Sequence, residues 1–149
     1  MTFILDTNVI SELRRPDKAD HNVLAWASGV PVANFYLSAI TVLELELGVL
    51  QIERKNSASG NVLREWLNRQ VLPRFEGRIL PVDTAVALRC ARLHVNDRRS
   101  ERDTLIAATA FVHGMTVATR NVSDFEPTGI AIFNPWQGAV PPPRTTRSP

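Results

Sequence analysis

Short apolar runs and amphipathic stretches alternate along most of the chain. The apolar runs predict five short strands, at residues 2–5, 34–37, 78–82, 115–119 and 130–133. Helical spacing and capping residues predict helices over residues 6–14, 20–28, 39–55, 61–71, 83–95 and 101–113. Because strands and helices alternate, the pattern predicts an α/β fold with a mostly parallel central sheet.

The helix predicted over residues 39–55 has the strongest amphipathic pattern. Ser38 is placed to cap it, and four of its apolar residues repeat at helical spacing: Ile40, Leu43, Leu47 and Leu50. The segment 56–60 (NSASG) predicts a turn, and the segment 120–125 (RNVSDF) predicts a loop. Gly114 is placed to end the helix at 101–113.

Length and composition indicate a single globular domain. The 149 residues, with 44% hydrophobic and 21% charged side chains, are enough for one core. We expect this domain to span residues 1–140 and the proline-rich segment 141–149 to be a disordered tail. No apolar run has the length of a membrane span, no export signal is visible, and Cys90 is the single cysteine. We therefore expect a cytoplasmic protein without a membrane partner.

The charge balance changes this picture little. Two basic residues lie in the tail, so that residues 1–140 carry 15 basic and 15 acidic side chains and are neutral. Five arginines are clustered in the second half of the chain: Arg89, Arg92, Arg98, Arg99 and Arg102. Arginine suits phosphate contacts, although a solvated helix face explains the cluster equally well.

Four acidic residues stand out as candidates for chemistry. Asp6 directly follows the first predicted strand, and Asp124 follows the fourth. Glu44 lies within the apolar helix at 39–55, and Asp103 lies in the first turn of the helix at 101–113. Each has a structural alternative: a helix cap for Asp6, a solvent-facing position for Glu44, a favourable helix-dipole position for Asp103 and a turn for Asp124.

These carboxylates also suggest a metal. The carboxyl ends of parallel strands meet at one edge of a sheet, which would bring Asp6, Asn121 and Asp124 to the same rim. Carboxylates gathered without matching bases favour Mg²⁺ or Mn²⁺. The three histidines lack the spacing of a zinc site.

Four segments resemble, in order, the signature blocks of PIN-domain toxins of the VapC type. They are LDTNVISEL (5–13), LSAITVLELELGV (37–49), DTLIAATA (103–110) and TVATRNVSDF (116–125). The segments VLPRFEGRILPVD (71–83) and IFNPW (132–136) are similar to the FitB-type branch. Together the blocks cover most of residues 3–136.

The resemblance implies a three-layer α/β/α domain that cuts RNA with Mg²⁺ or Mn²⁺, as the toxin of a type II toxin–antitoxin module. Asp6, Glu44 and Asp103 match the three core acids of the family and would hold the metal. The fourth acidic position falls on Asn121, which is a departure from the FitB-type pattern, and Asp124 follows three residues later. Whether Asn121, Asp124 or a water completes the site stays open.

The resemblance also implies supporting residues and partners. Thr7, Asn8 and Thr119 match polar positions that hold the site, and Arg120 joins the arginine cluster as a candidate RNA-phosphate contact. The implied partners are a small antitoxin with a ribbon-helix-helix domain, promoter DNA bound through that antitoxin, and a second copy of the toxin. Exposed apolar residues between 39 and 71 are candidates for both protein contacts.

Two other interpretations are open. Asp6-Thr7-Asn8-Val9 differs by one residue from the motif of aspartyl-phosphate phosphatases, but Asn8 removes the general acid of that family. A degenerate PIN domain that only binds RNA or a partner is the second, because of the asparagine at position 121.

Overall fold

A parallel sheet forms the centre of the protein. The computed structural model describes residues 1–96 and 100–138. Within them lies a sheet of five strands in the order β3-β2-β1-β4-β5, and each neighbouring pair is parallel. The strands are β1 (Phe3–Leu5), β2 (Phe35–Ser38), β3 (Ile79–Leu80), β4 (Thr116–Ala118) and β5 (Ile132–Phe133). All five lie where the apolar runs predict them.

Helices connect the strands. They are α1 (Thr7–Leu13), α2 (His21–Gly29), α3 (Ala39–Lys55), α4 (Ser57–Trp66), α5 (Leu72–Arg74), α6 (Thr84–Asn96), α7 (Glu101–His113) and α8 (Val122–Phe125). The predicted helix-capping residues are confirmed at two positions, one at the start of α3 and one at the end of α7. The Ser38 hydroxyl accepts a hydrogen bond from the Ile40 amide at 2.9 Å, and Gly114 has the left-handed backbone (φ 66°) that ends α7.

Strand β1 divides the core into two halves because its side chains alternate between the faces of the sheet. Phe3 and Leu5 pack with Trp26 of α2 on one face. Ile4 packs on the other face with Ile106 of α7. A strand covered on both faces is apolar throughout, which is why the run before Asp6 reads as a continuous apolar segment.

Helix α6 forms an additional layer outside α7. Its Val86 and Cys90 are buried against Ala108. Helices cover both faces of the sheet, which confirms the prediction of an α/β/α fold, and the sheet is wholly parallel in the described residues. The predicted tail at 141–149 lies outside the described residues. In the described part of the chain, no helix has both the length and the apolar character needed to cross a membrane.

The turn predicted at residues 56–60 is confined to Asn56, which lies between α3 and α4. The Asn56 side chain accepts a hydrogen bond from the Ser59 amide at 3.1 Å, so residues 57–60 form the first turn of α4 instead of a loop. The helix predicted over 61–71 is correspondingly longer. It passes through a π-helical segment, Leu67–Val71, in which the Leu72 amide bonds the Leu67 carbonyl.

The loop predicted at residues 120–125 is also partly wrong, because Val122–Phe125 forms the short helix α8. The Phe125 side chain is fully buried beneath it and fixes this turn against the core.

The apolar stripe of α3 faces solvent in this chain. The buried residues of α3 are Thr41, Leu45 and Val49. Three residues of the predicted apolar repeat are instead exposed: Leu43 at 49%, Leu47 at 38% and Leu50 at 46%. Helical spacing identified an amphipathic helix but not which of its two apolar faces meets the sheet. The exposed set, called the α3 stripe below, remains available for protein contacts.

Helices α3 and α4 form a hairpin that depends on one glycine. A Cβ atom at Gly60 would lie 2.6 Å from the Glu53 Cα, closer than packed atoms tolerate. Arg64 of α4 joins the same helices by hydrogen bonds to Glu46 and Glu53 of α3.

We predict that Gly60→Ala lowers the free energy of unfolding by about 2 kcal/mol, because the helix backbones must separate. Gly48→Ala is the matched control, since nothing lies within 4 Å of a Cβ there. In the interior of a helix that change should add about 0.5–1 kcal/mol. Urea unfolding of both variants gives the comparison, and equal stabilities would contradict the close packing at Gly60.

Candidate active site

The site begins where the two central strands end. Asp6 follows β1, and its amide donates a hydrogen bond to the carbonyl of Ala118, the last residue of β4, at 3.0 Å. The chain leaves β1 toward β2 on one side, whereas β4 pairs with β1 on the other. Such a switch point opens a crevice at the carboxyl ends of the strands. The carboxylate of Asp6 lies in it, and the residue is only 4% exposed.

Three donors hold the buried Asp6 carboxylate. Its Oδ1 accepts from the Thr7 amide at 2.8 Å. Its Oδ2 accepts from the Thr119 hydroxyl at 2.8 Å and from the Asn8 Nδ2 at 3.2 Å. Thr119 is itself fully buried. The helix cap expected at Asp6 is therefore present, but two further side chains fix the direction of the carboxylate.

Helix α3 brings Glu44 to the same crevice. The Thr7 hydroxyl donates to the Glu44 Oε1 at 2.6 Å. Since the Thr7 amide bonds Asp6, Thr7 lies between the carboxylates of Asp6 and Glu44. The Thr41 hydroxyl, one turn earlier, donates to the Leu5 carbonyl at 3.4 Å and ties α3 to the end of β1. Glu44 therefore faces the crevice and not the solvent side of its helix.

Asp103 completes an acidic group around the crevice. Burial raises the pKa of Asp103 to about 6, and the carboxylates of Asp6, Asp124 and Glu44 add to the rise. Burial also raises the pKa of Asp6, although its hydrogen bonds from Thr119 and Thr7 oppose the change. The four acids that the sequence singled out thus lie near enough to one another for the charges of three to act on the pKa of Asp103.

The chemistry of these donors fits a hard divalent cation. Carboxylates that repel one another and lie partly buried are stabilised by positive charge between them. In the described residues, no group of three or more acidic, histidine or cysteine side chains converges closely enough to enclose an ion. Glu44 instead has a protein cation beside it, since the Arg102 Nη1 lies 3.6 Å from its Oε2.

Asn121 and Asp124 occupy different positions relative to the crevice. The Asn121 amide donates to the Thr119 hydroxyl at 3.0 Å, whereas its side chain is exposed. Asp124 is exposed on α8, and its charge reaches Asp103. Asn121 thus supports Thr119 through its backbone, and Asp124 contributes the fourth negative charge.

The candidate arginines lie in separate places. Arg102 pairs with Glu44 at the acidic group. The Arg89 guanidinium lies 5.1 Å from the Phe111 ring centre, and Phe111 is roughly 12 Å further along α7 than Asp103. Arg89 is therefore not at the acids. Arg92 is exposed on α6, and Arg98 and Arg99 lie outside the described residues.

Arg120 is the arginine next to the Asp6 network. Its amide donates to the Asn8 Oδ1 at 3.2 Å, and its guanidinium lies 5.3 Å from the centre of the Trp136 ring. Sequence reasoning missed Trp136, together with Thr41 of α3. The segment 132–136 drew notice only as part of a resemblance, and no local pattern pairs Trp136 with Arg120.

The family model of the PIN domain matches residues 3–126. The chain belongs to the PIN-domain family. An aspartyl-phosphate phosphatase would have its general acid at position 8. This PIN domain has Asn8 there, and the Asn8 side chain donates a hydrogen bond to Asp6.

Relatives of this PIN domain match almost its whole length. It is 44% identical to toxin FitB of Neisseria gonorrhoeae, over 90% of this chain and 98% of that protein. It is 41% identical to VapC ribonuclease Y4jK of Sinorhizobium fredii, over 92% of this chain and 99% of the relative. A solved structure of FitAB bound to an IR36 DNA fragment has a TM-score of 0.81 at 43% identity, covering 91% of this chain and 96% of the matched one.

We predict that Asp103→Asn stabilises the protein in the absence of divalent cations. A carboxyl whose pKa is raised to about 6 on folding binds more protons in the folded state, so stability falls as pH rises toward 6. The variant should gain about 1–2 kcal/mol over wild type at pH 7.5 and almost nothing at pH 4.

Urea unfolding in EDTA at both pH values measures this difference. Glu101→Gln is the matched control, because Glu101 is an exposed acid in the same first turn of α7. That change removes a favourable helix-dipole charge and should stabilise at neither pH. A stability gain from Glu101→Gln equal to that from Asp103→Asn would contradict a specific repulsion at the crevice.

Proposed function

We propose that this PIN domain is an endoribonuclease that uses Mg²⁺ or Mn²⁺ and acts as the toxin of a type II toxin–antitoxin module. The observation that carries the proposal is the buried Asp6 carboxylate with Glu44, Asp103 and Asp124 around it. The 41% identity to a relative named a VapC ribonuclease supports an RNA substrate.

Asp6, Glu44 and Asp103 are the residues that would hold the metal. The bound ion would supply positive charge that lowers the pKa of water and offsets charge developing on the phosphate. Asp124 lies close enough to Asp103 to influence its charge and is the candidate that completes the site. Asn121 supports Thr119 through its backbone.

The neighbouring side chains keep these acids in place before any ligand binds. Thr119 and Asn8 hold one oxygen of Asp6, and Thr7 holds one oxygen of Glu44. Arg102 balances the charge of Glu44. An ion bound at the acids would take over that role, which would leave the Arg102 guanidinium able to contact an RNA phosphate.

Neutralising the acids would also make the electrostatic potential around the protein more positive, which would attract RNA. Residues 1–140 carry 15 basic and 15 acidic side chains, and with four acids neutralised their net charge would be +4. A surplus of this size attracts a polyanion, and Arg120 lies at the edge of the site. We propose a cytoplasmic location for the protein, where its RNA substrate is found.

The proposed partners follow from the relatives and from the surface. The solved structure of FitAB bound to a DNA fragment supports a partner that would carry this toxin to promoter DNA. In line with the family resemblance, we propose that this partner is a small antitoxin with a ribbon-helix-helix domain. The α3 stripe (Leu43, Leu47 and Leu50) and the exposed Val62 of α4 supply an apolar surface for a homodimer or for the antitoxin.

We predict metal-dependent cleavage of single-stranded RNA that Asp6→Asn lowers at least about 100-fold, because a central metal-holding charge is lost. The measurement compares Mg²⁺, Mn²⁺ and EDTA on a mixed RNA pool, with the antitoxin removed and folding checked by circular dichroism. Glu101→Gln should cleave like wild type. Equal inertness of folded wild type and Asp6→Asn would favour the degenerate, RNA- or partner-binding PIN domain.

We also predict that Thr7→Val raises the Mg²⁺ concentration needed for half-maximal cleavage by about 10-fold, since Glu44 loses the donor that orients it. Thr7→Ser retains the hydroxyl and should restore most of the affinity. Metal titrations of the cleavage rate separate the variants. If Thr7→Val titrates like Thr7→Ser, the hydrogen bond to Glu44 has no role in metal binding.

A further inference from the structure

A polar cavity opens beside the acidic group at the carboxyl ends of β4 and β5. Its volume is about 520 Å³, within the usual range for small-molecule sites. Its polar lining comes from Arg120, Asn121, Ser123, Glu126, Asn134 and Gln137. We call it the β4–β5 cavity. Apart from the Arg120 guanidinium, none of these side chains has a role in the proposed metal-assisted cleavage.

Two hydrogen-bond paths tie this cavity to the catalytic carboxylate. The Arg120 amide donates to Asn8, and Asn8 in turn donates to Asp6. The Asn121 amide donates to the Thr119 hydroxyl, which donates to Asp6. Two successive wall residues are therefore one side chain away from Asp6, which places the cavity next to the acidic group.

The Trp136 ring gives the Arg120 guanidinium a fixed support. The Trp136 amide donates to the Asn134 Oδ1 at 2.9 Å, and its carbonyl accepts from the Asn22 Nδ2 at 2.9 Å. The guanidinium lies over the ring in a cation–π contact, which uses none of its N–H donors. No acceptor among the described residues bonds these N–H groups, so they are able to bind an anion in the cavity.

The rest of the lining is unsuited to a phosphate alone. Glu126 is exposed into the cavity and repels an anion, whereas it accepts readily from N–H donors. Asn121, Asn134 and Gln137 add amide groups that donate and accept. A ligand that matches both side chains carries a phosphate for Arg120 and a donor-bearing ring for Glu126, which describes a nucleotide.

We propose that the β4–β5 cavity binds the nucleotide of the RNA substrate that flanks the cleaved bond, and that it favours guanine. Guanine presents two adjacent donors on its pairing edge to a carboxylate such as Glu126. Adenine and cytosine present an amino group beside a repelling acceptor, and uracil presents one N–H between two carbonyls. The inference rests on the proposed ribonuclease activity and assigns the choice of cleavage site to this cavity.

The test maps the ends that wild type and variants produce from an RNA pool with randomised positions, in the divalent cation that supports cleavage. Wild type should show guanine enriched at one position beside the cut. Glu126→Gln should reduce that enrichment roughly ten-fold, because the amide has one acceptor oxygen where the carboxylate offers two to the adjacent guanine donors. Glu101→Gln is the matched control and should retain the enrichment.

Arg120→Ala should act differently from Glu126→Gln. It should raise KM for all RNA sequences alike and leave the preference for guanine unchanged. The slope of log binding constant against log salt concentration should fall in magnitude by about one, because one phosphate contact is lost. A merely structural role for Arg120 would not alter the salt dependence.

The outcomes separate this inference from the proposed function. Cleavage by wild type without a preferred flanking base, or with a preference that Glu126→Gln leaves intact, overturns the cavity assignment and leaves the ribonuclease standing. An inert wild type overturns the ribonuclease itself. If Glu126→Gln and Arg120→Ala change only the affinity for a purified antitoxin, the cavity is a partner site and the inference is wrong.

Discussion

The buried carboxylate of Asp6 is the constraint on which the site depends. A charge at 4% exposure is costly unless donors or a cation compensate it, and here the donors come from α1 and from the end of β4. Burial still raises the pKa of Asp6 in their presence. The protein thus holds a carboxylate that is oriented but not fully compensated, which is the electrostatic state that a divalent cation would relieve.

The same donors link elements that are distant in the chain. Thr7 bonds both Asp6 and Glu44, so it connects β1 to α3. Thr119 bonds Asp6 and accepts from Asn121, so it connects β1 to the segment that lines the β4–β5 cavity. Asp6 and the cavity wall therefore share one hydrogen-bond network, and a shift in Thr119 would displace both.

Much of the fold could be predicted from the sequence, because fully apolar strands and capped helices have local patterns. The position of Asp6 at the rim of the sheet could also be predicted, because the carboxyl ends of parallel strands meet at one edge. Glu44 and Asp103 were singled out as members of the same site only by the family resemblance. The side of α3 that is buried could not, because Leu43 and Leu45 belong to competing apolar faces and only packing against β1 and β2 decides between them. The stacking of Arg120 on Trp136 was equally hidden, because it requires the ends of β4 and β5 to be neighbours.

The parallel pairing of β1 with β4 has a consequence during synthesis of the chain. Asp6 and Thr119 are 113 residues apart, and no nearer residue supplies the same hydroxyl. At about 5–20 residues per second, a ribosome needs roughly ten seconds between making one and the other. For that interval the nascent chain has Asp6 and its neighbouring donors, Thr7 and Asn8, but lacks the Thr119 hydroxyl that completes them. The site therefore forms only late in translation, which leaves time for a neutralising partner to be present when the finished domain folds.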